Sequence, residues 1–154
     1  MDQRFLSDTE LQETPGFTRL LTYFEDSTGG NRLPSRRDFR PADIKDLLPL
    51  LCMWDIETGP DGKLHDAVFR LMGTKVTDLY GEHTGNSSRD FPDPDVAGRI
   101  MTALEWIVAN RTPLAYEVRG ITKWRDYMNM RLLYIPMSDD GRTVNRAIGL
   151  FHFM

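Results

Sequence analysis

At Leu50 the spacing of apolar residues changes from helical to alternating, and this change restricts the fold more than any other feature of the chain. An alternating pattern puts successive side chains on opposite faces of a strand, so each such run has to bury a face in a sheet. Leu50 to Glu57 reads as a strand with Cys52, Trp54 and Ile56 on one face. Thr58-Gly-Pro-Asp-Gly-Lys63 has turn chemistry, and His65 to Met72 is the return strand of a hairpin. Three more strand-like runs, Leu114 to Ile121, Tyr127 to Pro136 and Val144 to Phe153, close the chain. The polar turns Thr122–Asp126 and Ser138–Arg142 join them.

The segments before and between the strands have helical spacing. Ser7-Asp-Thr-Glu10 matches a capping box, and Thr14 followed by Pro15 predicts the start of a second helix. Phe17, Leu20, Leu21 and Phe24 fall on one stripe of that helix, which Gly29-Gly30 ends. Pro41 opens a short helix carrying Ile44, Leu47 and Leu48, stopped by Pro49. Asp93-Pro94 caps and starts a longer helix whose buried stripe is Val96, Ile100, Leu104, Ile107 and Val108. Residues 1–40 therefore read as a helical extension with a basic loop, and residues 41–154 as the sheet domain. Helices inserted among five strands predict one antiparallel sheet with helices across its inner face, an α+β fold.

A chain of 154 residues supports one core. Its net charge of −4 gives no electrostatic reason to expect nucleic acid or an anionic membrane as partner. The N-terminus lacks the apolar core of a secretory signal, and the run Leu47 to Trp54 is far shorter than a membrane span. One cysteine, Cys52, forms no internal disulfide. A cytoplasmic setting is the expectation.

The three histidines, His65, His83 and His152, sit in a hairpin, a loop and the last strand, and Gly85-Asn-Ser-Ser-Arg89 lacks the second glycine of a nucleophile elbow. Asp93-Pro-Asp95-Val-Ala97-Gly98 imitates a calcium loop but has Leu104 where the bidentate glutamate belongs. Gly59-Pro-Asp-Gly-Lys63 is too short for a phosphate loop. Lys123-Trp-Arg-Asp-Tyr127, with Arg119 and Arg131, reads as a solvated hairpin, and the arginines of the 32–40 loop as packing against Asp38 and Asp43. No catalytic or metal site is predicted.

"FRLMGT", Phe69 to Thr74, alternates like a half-buried strand and then breaks into the short helical turn Lys75 to Gly81. With "RLPSRRDFRPADIKDLLPLLCMWDIE" before it, this break resembles a PAS-like family found mainly in alphaproteobacteria and formerly of unknown function. The matching pieces are Leu33-Pro34-Ser35-Arg36, Arg70 to Thr74, Ile135-Pro136-Met137 and the late Gly149, spread over residues 17–153. The resemblance implies a PAS fold and a sensing or regulatory role for a stand-alone member. It also implies that the helices after the second strand enclose a cavity. Gly73 would then turn the backbone without a Cβ clash, and Thr74 would cap the next turn.

The candidate pocket residues are Trp54, Phe69, Leu71, Leu79, Tyr80, Ile100, Leu104, Tyr116, Met130, Leu132 and Tyr134. They suit an apolar or amphipathic small ligand, with the tyrosines and Trp54 as polar handles, and they equally suit a filled core. No cofactor is assigned. A haem would want a histidine on the 96–110 helix, and a photoactive flavin a cysteine after the second strand rather than at Cys52. The stripe Phe17, Leu20, Leu21 and Phe24 is the candidate surface for a homodimer or an unidentified signalling partner. Two other functions remain open: a ligand-free adaptor, and a small cone-fold isomerase or hydrolase-type enzyme. The enzyme would need Asp55 or Glu117 turned inward by a register shift of one.

Overall fold

The computed structural model describes residues 2–122, 125 and 128–154. Leu51–Thr58 (β2) and Leu64–Met72 (β3) form the expected hairpin. Asp2–Phe5 (β1), Leu114–Arg119 (β4), Asn129–Met137 (β5) and Arg146–Phe153 (β6) complete one sheet. Its strand order is β1-β4-β5-β6-β2-β3, with every neighbour antiparallel. The sheet has six strands rather than five. The extra strand is β1, four residues long with the sequence DQRF, too short and too polar to show alternation. The turn residues Lys123, Trp124 and Asp126, and the expected strand start at Tyr127, lie outside the described residues.

The helices are Asp8–Glu13 (α1), Phe17–Thr28 (α2), Thr74–Tyr80 (α3) and Pro94–Asn110 (α4). The capping box of α1 is present: Glu10 N–H donates to Ser7 Oγ and Ser7 N–H to Glu10 Oε1, at 3.2 and 3.1 Å. Asp93 caps α4 by accepting from the Asp95 and Val96 amides. Thr14 does not cap α2. It ends α1, and Gly16 at φ +84° provides the left-handed turn into Phe17. Thr14 Oγ1 instead donates to the Glu10 carbonyl and accepts from Arg131 Nη1. The helix expected at Pro41 is two 3-10 turns, Pro41–Ile44 and Leu48–Leu50, because Pro49 interrupts the hydrogen-bond ladder.

Alternation along the strands divides the apolar side chains between two cores. Cys52, Trp54, Met130, Leu132, Tyr134 and Phe151 join α3 and α4 in the inner core. Leu51, Met53, Leu133, Ile135, Ile148 and Leu150 join α2 and the 3-10 turns in the outer core. Phe17 and Leu20 are fully buried there and Phe24 is 4% exposed, while Leu21 is half-buried. This corrects the expectation for the α2 stripe. Three of its four residues pack against the chain's own sheet and offer no free docking surface.

Local chemistry explains several of the quoted motifs. Ser35 N–H and Oγ donate to Asp38, which also takes Arg32 at 2.7 Å, so the basic loop is tied within itself. Asp43 accepts from the Tyr23 hydroxyl rather than from an arginine. Pro136 is tolerated inside β5 because β4 begins at Leu114, opposite Tyr134. Met137 turns its carbonyl toward the β6 side, accepting from Asn145 N–H, so the backbone nitrogen of Pro136 faces the side where β4 is absent.

On the outer face Glu117, 7% exposed, lies between Arg4 Nη2 at 3.0 Å and Arg131 Nε at 3.1 Å, and both arginines also reach Glu10. The Arg4 guanidinium and the Ser7 amide hold the Glu10 carboxyl down at about 2, against an ordinary 4.5. A depressed carboxyl pKa gives stability that is complete above the unfolded value and disappears as pH falls through the folded one. Between pH 4.5 and about 2 the thermal midpoint is therefore expected to fall less steeply in Glu10→Gln than in the natural sequence. Circular dichroism melts across that range check it, and equal slopes would refute it.

Candidate functional site

The break at "MGT" is real, and space rather than backbone freedom requires its glycine. Gly73 has an ordinary φ of −64° and caps α3. A Cβ there would lie 2.3 Å from the Pro49 carbonyl oxygen and 2.4 Å from that of Leu48. The chain comes this close because Gly73 N–H donates to the Leu51 carbonyl at 2.7 Å, fastening the end of β3 to the start of β2. Thr74 does not cap the turn; its carbonyl accepts from Thr77 Oγ1. From this anchor α3 and the 3-10 turn Ser88–Asp90 cross over the inner face, with α4 beside them.

Ten of the eleven predicted pocket residues are in this inner core: Trp54, Phe69, Ile100, Leu104, Tyr116, Met130, Leu132 and Tyr134 within it, and Leu79 and Tyr80 packed against it. Leu71 is not. The β2–β3 register slips by one between Met53 and Trp54, so that Trp54 faces Phe69 while Met53 faces Leu71. Arg70 is the extra residue of this bulge, and Leu71 turns to the outer core. Asp55 and Glu117 also point away from the inner core: Arg146 holds Asp55 at 3.2 Å, and the arginine pair holds Glu117.

The centre of the site is Trp54. It is fully buried, donates from Nε1 to Ser88 Oγ at 3.0 Å, and lies over Gly149 on β6, where a Cβ would meet its ring at 2.8 Å. Phe69 and Tyr134 flank it at ring separations of 5.5 and 5.4 Å. The space left over is a cavity of about 10 Å³ bordered by Cys52, Phe69, Met72, Tyr80, Arg99 and Leu132, among others. That is scarcely the volume of one water. An open groove of about 420 Å³ lies outside it, lined by Leu79, Tyr80, Phe91, Pro94, Thr122 and Arg125 among others. Tyr80 and Phe91 border both spaces and meet edge to face at 5.8 Å.

The inner core also holds polar groups that the sequence reading missed. Arg99 of α4 is 3% exposed and donates from Nη2 to the Tyr80 hydroxyl and the Ile121 carbonyl, both at 3.3 Å. Its position was legible, three residues after Val96 and one before Ile100 on the buried stripe. Burial raises the Tyr80, Tyr116 and Tyr134 phenols, Tyr116 to about 12, with Arg99 pulling the other way on each. The Cys52 thiol is pushed up by burial too, which makes it unreactive. His83 bonds the Tyr80 carbonyl through Nε2 at 2.8 Å and packs on Phe91 at 4.4 Å. Neither a haem nor a flavin fits. The sheet-facing side of α4 carries no histidine, and the interior space is far too small.

Among the described residues no group of three metal-ligating side chains comes together, and no helix is long and apolar enough to cross a membrane. A PAS domain family profile matches residues 12–152. The chain belongs to the PAS domain family. Comparisons with curated proteins and with solved structures gave no match.

Proposed function

We propose that the chain is a sensory or regulatory PAS module that takes a small apolar or amphipathic molecule between its sheet and the α3–α4 layer. Its output passes through protein contacts rather than catalysis. A cytoplasmic setting suits its single cysteine. Membership of the PAS family supports the regulatory role. Against catalysis stands the placing of Asp55 and Glu117, both held by arginines outside the inner core. One observation carries the ligand reading: among the described residues only Tyr80 and Phe91 border both the residual cavity and the outer groove, so a rotation of two rings would join them.

The small interior volume favours a second reading, a ligand-free adaptor with a filled core. Native mass spectrometry of freshly purified protein, with an absorption spectrum of the same sample, separates the two. The sensor reading expects a non-covalent added mass. A clean apo mass that no small molecule changes would leave the adaptor.

A further inference from the structure

From Gln3 to Glu13 the chain lies on the protein without fully burying a single side chain. This arm holds β1 and α1, and nearly all of it precedes the residues that match the family, 12–152. Its apolar hold is slight. Leu6 and Leu11 are half-buried against the outer core, and Phe5, 67% exposed, reaches the Trp106 ring at 6.4 Å. The rest of the hold is backbone ladder and charge. Leu6 N–H donates to the Ala115 carbonyl, so Ala115, Glu117 and Arg119 turn their backbone groups toward β1. Arg4, its side chain 46% exposed, pairs with Glu10 and Glu117. Ion pairs open to solvent add little stability, and a segment held this way opens well before the fold does.

What lies beneath the arm is more firmly built. Glu117 is 7% exposed; Arg131 of β5 pairs with it from one side and Arg4 of β1 from the other. A buried carboxylate so placed favours a cation at the position of Arg4. On the opposite face of the strand, Phe5 stands at an apolar groove of about 250 Å³ bordered by Ala103, Trp106, Leu114 and Tyr116 among others. The edge of β4 thus combines ladder groups, a carboxylate and an apolar groove. Such an edge binds an extended strand through its backbone and selects it by alternate side chains.

We propose that the edge of β4 is a strand-docking site and that β1 is its resident occupant. An extended segment of a partner protein, with a basic residue followed by an aromatic one, displaces it. The basic residue replaces Arg4 against Glu117, and the aromatic one replaces Phe5 against Trp106. The proposal rests on the reading that output passes through protein contacts, and it names a surface that the buried α2 stripe does not offer.

The probe is the hexapeptide DQRFLS, the sequence of residues 2–7, titrated into the full chain and followed by proton–nitrogen NMR. In the natural sequence the tethered β1 competes at high effective concentration. Arg4→Ala/Phe5→Ala weakens that competitor without touching a buried side chain, so the variant should fold, as near-ultraviolet circular dichroism will show. It is expected to bind DQRFLS at least about tenfold more tightly than the natural chain does, and each substitution alone should act in the same direction. The shifts should concentrate at the amides of Ala115, Glu117 and Arg119. The peptides DQEFLS and DQRSLS should each bind at least about tenfold more weakly than DQRFLS. If the variant binds DQRFLS no better than the natural chain, or binds the three peptides alike, the docking site is overturned. The sensor reading, tested by bound mass, then still stands. If sedimentation shows the natural chain dimeric and the variant monomeric, the occupant is a second copy and the outside partner is overturned.

Discussion

Gly73→Ala is expected to destabilise the protein by about 3 kcal/mol or more, lowering the thermal midpoint on the order of 10 °C. The backbone conformation at Gly73 is one that alanine adopts freely, so the whole effect comes from space. The atoms in the way are the carbonyl oxygens of Leu48 and Pro49, at 2.4 and 2.3 Å from the new Cβ. Neither belongs to a flexible side chain. Relief requires the 3-10 turn Leu48–Leu50 to shift, or the Gly73–Leu51 hydrogen bond to lengthen, and each loosens the start of β2. Urea unfolding followed by circular dichroism measures the change. A loss below about 1 kcal/mol would mean that the close approach is not there.

Trp54→Ala should cost about 3–5 kcal/mol, the range for emptying a large aromatic site. It removes the largest fully buried side chain of the inner core and leaves Ser88 Oγ, itself fully buried, without the indole donor. The contact with Gly149 gives a sharper form of this prediction. Gly149→Ala alone should cost about 1–3 kcal/mol, because its Cβ meets Cζ3 and Cη2 of Trp54 at 2.8 and 3.0 Å. Phenylalanine lacks both atoms, so most of that cost should vanish in a Trp54→Phe background. A double-mutant cycle measures the coupling, and additive effects would show that the tryptophan does not require the glycine.

The alternating period made most of the sheet legible in advance. Each of the five predicted strands is present within a few residues of its expected ends, apart from the strand start at Tyr127 outside the described residues. Asp93-Pro94 marked α4 because a cap and a proline at the first helical position act locally, without help from tertiary structure. The failures share one cause. β1 has no pattern of its own and exists by pairing with β4, and its second anchor, Arg4 to Glu117, joins residues 113 positions apart in the chain. Leu71 was placed on the wrong face because one bulge at Arg70 inverts alternation without leaving a mark in composition.

The α2 stripe was legible as one apolar face but was assigned to a docking surface, because what covers a face is decided by tertiary packing. Here it is the far side of the same sheet. Arg99 was passed over because a charged residue within an apolar stripe reads as an interruption, though its spacing from Val96 places it among the buried residues.

Native-state hydrogen exchange tests most directly whether the inner core is a closed pocket, as proposed, or a solid interior. α3 has seven residues and buries only Val76, so lifting it exposes little apolar surface, whereas β5 and β6 are buried along most of their length. If the inner core is a pocket, amides of α3 and of the 3-10 turn Ser88–Asp90 are expected to exchange through an opening well below the free energy of global unfolding. The amides of β5 and β6 should exchange only with global unfolding. If α3 is protected to the same level as the central strands, the interior does not open, and the pocket reading is contradicted.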